Sequence, residues 1–70
     1  MKNEAGKIEA IKSVVNEYNV ETKLYIFLDG KHNGKFGVRV YDLDACEVVE
    51  ITVCVDKAQA EYYYNKAING

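Results

Sequence analysis

Residues 36–55 read FGVRVYDLDACEVVEITVCV, and the fold turns on how this stretch alternates. Phe36, Val38 and Val40 alternate with Lys35, Gly37, Arg39 and Tyr41. Val49, Ile51, Val53 and Val55 then alternate with Val48, Glu50, Thr52 and Cys54. A period of two with β-branched residues is the mark of a strand buried on one face. The polar run Asp42-Leu43-Asp44-Ala45-Cys46-Glu47 separates the two, so the stretch predicts a hairpin. Cross-strand partners share a face. The apolar sets are even-numbered on one strand and odd-numbered on the other, so paired numbers must sum to an odd value. Val40 opposite Val49 satisfies this and sets Val38 against Ile51 and Phe36 against Val53. The same register puts Arg39 against Glu50 on the outer face.

Upstream, Ile8, Ile11, Val15 and Tyr18 recur at helical spacing, with Val14 at the margin, and predict a helix over 4–18. Asn3 is its expected N-cap, Gly6 weakens its first turn, and Asn19 ends it in a left-handed conformation. Residues 22–29 predict a strand with Leu24, Ile26 and Leu28 on one face and Tyr25 and Phe27 on the other. The loop Asp29-Gly-Lys-His-Asn-Gly34 carries two turn dipeptides. Parity there favours a long loop, with Leu28 opposite Phe36, Ile26 opposite Val38, and Phe27 covering the bare backbone of Gly37. Downstream, Asp56 as N-cap and Gln59 three residues on open a helix running to about Ile68. Its inward stripe is Ala60, Tyr63, Tyr64 and Ala67, with Tyr62 facing away. The expected fold is therefore α+β, in the order α-β-β-β-α. A three-stranded antiparallel meander carries two helices on one face, and residues 1–70 form a single domain.

The chain has 70 residues, a net charge of −2 and an isoelectric point near 5.3. A domain this small buries only about 60% of its unfolded surface, so it needs most of its apolar residues inside or a partner. The acidic balance argues against generic nucleic-acid binding. Charge is unevenly placed: residues 1–39 hold seven of the nine basic residues, and residues 40–70 hold six of the eleven acids. No segment is long enough to span a membrane, and Met1-Lys2-Asn3-Glu4 runs into a polar stretch without an apolar signal-peptide core. Cys46 falls in the turn and Cys54 on the outer side of the third strand. Their spacing in one hairpin arm disfavours a bridge, and two free thiols point to the cytoplasm.

No catalytic, metal or cofactor motif stands out. His32, the single histidine, reads as an exposed loop residue without an orienting carboxylate or a nucleophile. Cys46, Cys54 and His32 lack the ligand-pair spacing of a zinc site. Asp42, Asp44 and Glu47 lack the glycine and twelfth-position glutamate of a calcium loop. What remains is a surface. The sheet face away from the helices is expected to present Tyr25, Phe27, Arg39, Tyr41, Val48, Glu50, Thr52 and Cys54, and exposed rings with an arginine make binding hot spots.

The order helix, three strands, helix resembles the double-stranded RNA-binding domain. The segment Gly30-Lys-His32-Asn-Gly-Lys-Phe36-Gly-Val38-Arg-Val40 is similar to that family's second-strand region, as is Asn16-Glu17-Tyr18 to its first helix end. The resemblance implies that topology and RNA contacts through Lys31, His32, Lys35 and Lys57. The chain departs from the family in four places. It has no loop proline, and the family's paired lysines fall on Asp56 and Lys57. Its small alanines fall on Tyr63 and Tyr64, and the connection after the first helix is short. The leading expectation is a non-enzymatic protein-binding module of the cytoplasm, similar in type to small phage inhibitors of host defence such as anti-CRISPR proteins. It would act on a protein partner, for instance a nucleic-acid-handling complex, through the open face and the acidic residues Asp42, Asp44, Glu47 and Glu50. RNA binding and a structural homodimer are the alternatives.

Overall fold

The computed structural model describes residues 7–69. Asn3 and Gly6, read above as the cap and weak point of a first helix, lie outside them. The elements are β1 (Ile8–Val15), β2 (Val20–Phe27), β3 (Phe36–Asp42), β4 (Glu47–Cys54) and α1 (Lys57–Asn69). The strands form one antiparallel meander in the order β1-β2-β3-β4, and α1 packs across β2, β3 and β4 on one side. The expected α-β-β-β-α order is thus overturned: the described residues form four strands and one helix.

The first helix is replaced by β1, an edge strand exposed along its length and interrupted by a bulge. Ala10 pairs with Tyr25 but Lys12 pairs with Leu24, leaving Ile11 as the extra residue. Ile8, Ile11 and Val14 recur every three residues and imitate a helical stripe, yet in the strand they are split between faces: Ile8 lies beside Phe27 on one and Val14 beside Thr22 on the other. Asn19 does take the left-handed conformation, with φ 63°. It closes a hairpin rather than a helix. The Asn19 amide donates to the Asn16 carbonyl at 3.0 Å and the Asn16 amide to the Val20 carbonyl at 3.1 Å, a type I turn followed by a left-handed residue.

The β2–β3 register lies two residues from the expected one. Ile26 pairs with Phe36, Leu24 with Val38, and Tyr25 with Gly37. Tyr25, not Phe27, covers the glycine. Leu28 extends the pairing of β2 with β1, its amide donating to the Lys7 carbonyl at 2.9 Å. The loop is held by Gly30 and Gly34, both at positive φ, and by the Gly34 amide donating to the Phe27 carbonyl at 2.9 Å.

A second bulge reorganises the central hairpin. Tyr41 pairs with Val48, whereas Val40 pairs with Glu50, Val38 with Thr52 and Phe36 with Cys54. Val49 is the extra residue. From Glu50 onward every side chain of β4 is therefore on the opposite face from the one expected, because a shift of one residue reverses a strand. Glu50, Thr52 and Cys54 face α1. Ile51 and Val53 face away, and Arg39 lies opposite Ile51 rather than Glu50.

The core is correspondingly small. Leu24, Val38, Cys54, Ala60 and Tyr64 are buried together, with Phe36 packed against them. Cys54, expected on the outer face, is one of the most enclosed side chains. Tyr63 and Ala67, expected in the inward stripe with Ala60 and Tyr64, are exposed. They line a shallow groove of 310 Å³ with Val38, Val40, Glu50, Thr52 and Lys66. The helix start is as read. Asp56 Oδ1 accepts from the Gln59 amide at 2.8 Å, and Gln59 Oε1 accepts from the Val55 amide at 3.2 Å, two donors satisfied reciprocally.

Candidate functional site

The face of the sheet turned away from α1 is covered by no element among the described residues. The pairing lays it out in rows across the strands. Val15, Glu21, Tyr41 and Val48 form the first; Ser13, Lys23, Arg39 and Ile51 the second; Ala10, Tyr25, Gly37 and Val53 the third. Ile8 beside Phe27 ends it. Of the residues expected on this face, Tyr25, Phe27, Arg39, Tyr41 and Val48 are there. Glu50, Thr52 and Cys54 are on the helix side.

The centre of the face is preassembled. Tyr25 is only 5% exposed, because its ring lies over the bare Gly37 backbone and meets Phe27 edge-on, with centroids 5.2 Å apart. Burial pushes the Tyr25 phenol up, against a smaller opposing pull from Arg39. His32 reaches back from the loop onto Phe27, at 5.2 Å between centroids. It is half-buried rather than exposed, and its Nδ1 lacks a hydrogen-bond partner. Arg39 lies between Glu21, at 3.4 Å, and the Tyr41 ring, at 5.1 Å. Such a half-exposed ion pair contributes at most about 1 kcal/mol. Arg39 Nε is buried without a hydrogen-bond partner.

Aliphatic side chains flank this centre. Ile51 is 52% exposed and Val53 42%; Val48, Ile8 and Val15 are exposed as well. Sequence reasoning assigned Ile51, Val53, Ile8 and Val15 to the core. Two signals point the other way. The Val48-Val49 doublet breaks the period of two, which is how a bulge shows in a sequence. The β-branched content of Ile8, Ile11, Val14 and Val15 favours strand over helix.

The acidic residues divide. Asp42 Oδ1 accepts from the amides of Asp44 and Ala45, at 3.0 and 3.1 Å. Asp44 Oδ1 accepts from Asn19 Nδ2 at 2.8 Å. The Leu43 amide donates to the Asn19 carbonyl at 3.0 Å, so the two hairpin turns at this end brace each other. Asp42, Asp44 and Glu47 remain together with Glu17 at one end of the sheet, while Glu50 lies across the sheet beside the helix groove. Lys7, Lys31, Lys35 and Lys57 gather at the other end, with Asp29 and Asp56 among them. One end is strongly acidic, and the other, with Glu9 also present, keeps a small positive excess.

Cys46 and Cys54 are free thiols, the first exposed and the second buried. Burial, seconded by Asp56, pushes the Cys54 thiol up, which makes it a poor nucleophile at neutral pH. Among the described residues no three His, Cys, Asp or Glu side chains gather as metal ligands. No helix among them is long and apolar enough to cross a membrane. Compared with family models, with curated proteins and with solved structures, the chain matches none. The topology implied by the resemblance to the double-stranded RNA-binding domain does not hold either, since its first helix is replaced by β1.

Proposed function

We propose that the chain is a non-enzymatic protein-binding module whose contact surface is the open sheet face. One observation carries this reading: a sheet face with packed rings and Arg39 at its centre and exposed Ile8, Val15, Val48, Ile51 and Val53 at its flanks is left without cover among the described residues. Contiguous patches of this kind are uncommon on monomers and mark association sites. Tyr and Arg at the centre are the residue types that concentrate binding energy.

The acidic end narrows the partner to one with a basic surface, because long-range fields steer encounter more than they hold the complex. A phage-type inhibitor of a nucleic-acid-handling host complex fits that description, and two free thiols fit the cytoplasm. Capture from a host lysate tests the reading. Immobilised wild type is expected to retain proteins that Ile51→Asp loses, and Glu47→Lys is expected to weaken recovery further at low salt. Equal recovery by wild type and Ile51→Asp would overturn it.

The lysine-rich end supports a second reading, RNA binding through Lys31, His32, Lys35 and Lys57. It requires a gel shift at low salt that disappears as salt rises. No shift at low salt would remove it.

A further inference from the structure

The open face has the charge layout and the relief to pair with itself. Four strands of seven or eight residues, about 4.8 Å apart and about 3.3 Å per residue, make a face on the order of 500 Å². That is below the roughly 800 Å² per partner of a stable interface, so self-pairing here belongs to high concentration. The described residues form one sheet with one helix on one side of it, so the other side of the sheet is left facing outward among them.

The relief is uneven along the strands. Toward the acidic end the face is bulky and charged, with Glu21, Lys23, Arg39 and Tyr41. Toward the basic end it is lower, with Ala10 and Gly37 either side of the Tyr25 ring, and then Phe27. Two copies can meet face to face in two symmetric ways. With the two-fold axis along the strands, acidic end meets acidic end and bulk meets bulk. With the axis across the strands, each acidic end lies over the partner's basic end. The Arg39 and Lys23 half of one face then covers the Tyr25 and Phe27 half of the other, cation against ring. The flanks also match: Ile51 and Val53 of β4 meet the same strand of the other copy reversed, and Ile8 meets Val15.

We propose that a second copy of this chain covers the open face, forming a sandwich of two sheets about a two-fold axis that runs across the strands. Isologous pairing of this kind is the commonest form of self-association, and sheets stacked face to face lie about 10 Å apart. Lys23, Glu21 and Arg39 lose water in the contact, which tempers the affinity. The inference rests on reading the face as a protein-binding surface and names its occupant.

Sedimentation and light scattering at high micromolar concentration test it. Wild type is expected at twice the monomer mass and Ile51→Asp at the monomer mass, with unchanged far-ultraviolet dichroism. Val48→Lys serves as the second variant should Ile51→Asp not fold. Orientation is read by a short bismaleimide. Cys46 is exposed at the acidic end, so Asn33→Cys at the basic end should cross-link to Cys46 of the other copy, while wild type should not cross-link. A monomeric wild type, a dimeric Ile51→Asp, or a Cys46-to-Cys46 link in wild type would each overturn the proposal. A monomeric wild type whose lysate capture still depends on Ile51 would defeat the self-pairing and leave the protein-binding reading standing.

Discussion

Two residues show how closely local geometry is set. A Cβ added at Gly37 would lie 2.5 Å from Tyr25 Cζ, so the buried ring must leave its place. Gly37→Ala is expected to cost about 1–3 kcal/mol in chemical denaturation, as overpacked cores do, and to alter the near-ultraviolet dichroism of the rings. In a Tyr25→Ala background the penalty should vanish, because the two positions share one contact. Persistence of the full cost there would mean that the strand backbone, not the ring, is what glycine protects. Asn19 combines a positive φ with a side-chain bond to Asp44. Asn19→Ala gives up both and should cost about 1–2 kcal/mol. Asn19→Gly keeps the backbone conformation and gives up only the exposed bond, so its loss should be less than half as large. Equal losses would place the whole effect in the hydrogen bond.

At the scale of elements, legibility in the sequence followed regularity. Helix α1 and its paired cap residues Asp56 and Gln59 were readable because capping chemistry is local. Strands β2, β3 and β4 were readable as strands from their alternation. What alternation does not carry is the effect of an extra residue. In β1 an exposed edge strand carries apolar residues on both faces and so looked helical, and at Val49 a bulge turned the rest of β4 over. The better apolar row of β4 was expected under the helix. Instead α1 brings Ala60 and Tyr64, and a small Cys54 fits beneath them. This has a direct consequence for substitution. Ile51→Thr with Val53→Thr should change monomer stability by no more than about 0.5 kcal/mol per site, the range of exposed positions. Cys54→Asp, by contrast, buries an unpaired charge and should leave the chain unfolded at neutral pH. Denaturation curves decide it: a large loss from the Thr pair with a folded Cys54→Asp would restore the register in which Val38 faces Ile51.

The described residues form one sheet with a helix on one side and an uncovered face on the other, its rings packed against the sheet, and the residues of that face were half legible. Tyr25, Phe27, Arg39 and Tyr41 were placed together by parity alone. Their aliphatic surround was not, since Ile8, Val15, Ile51 and Val53 look like core to any reading that expects apolar residues inside. A protein with so thin a core should be sensitive to the few titratable groups within it. Burial raises the Cys54 thiol and the phenols of Tyr64 and Tyr25. Each group then holds its proton to higher pH when folded than when unfolded. Between the unfolded and folded values the native state binds more protons, so stability falls as pH rises. The contribution is fully present below the ordinary thiol range and is lost on passing upward through the thiol and then the phenol ranges. On the acid side these three groups contribute no slope. Thermal midpoints should therefore stay level from neutral pH up to the thiol range and decline steadily above it. In Cys54→Ala the decline should begin later, in the phenol range, whatever the variant costs in packing. A midpoint that holds through strongly alkaline pH would show that these groups reach water in the native state, and that the small core is more open than its packing implies.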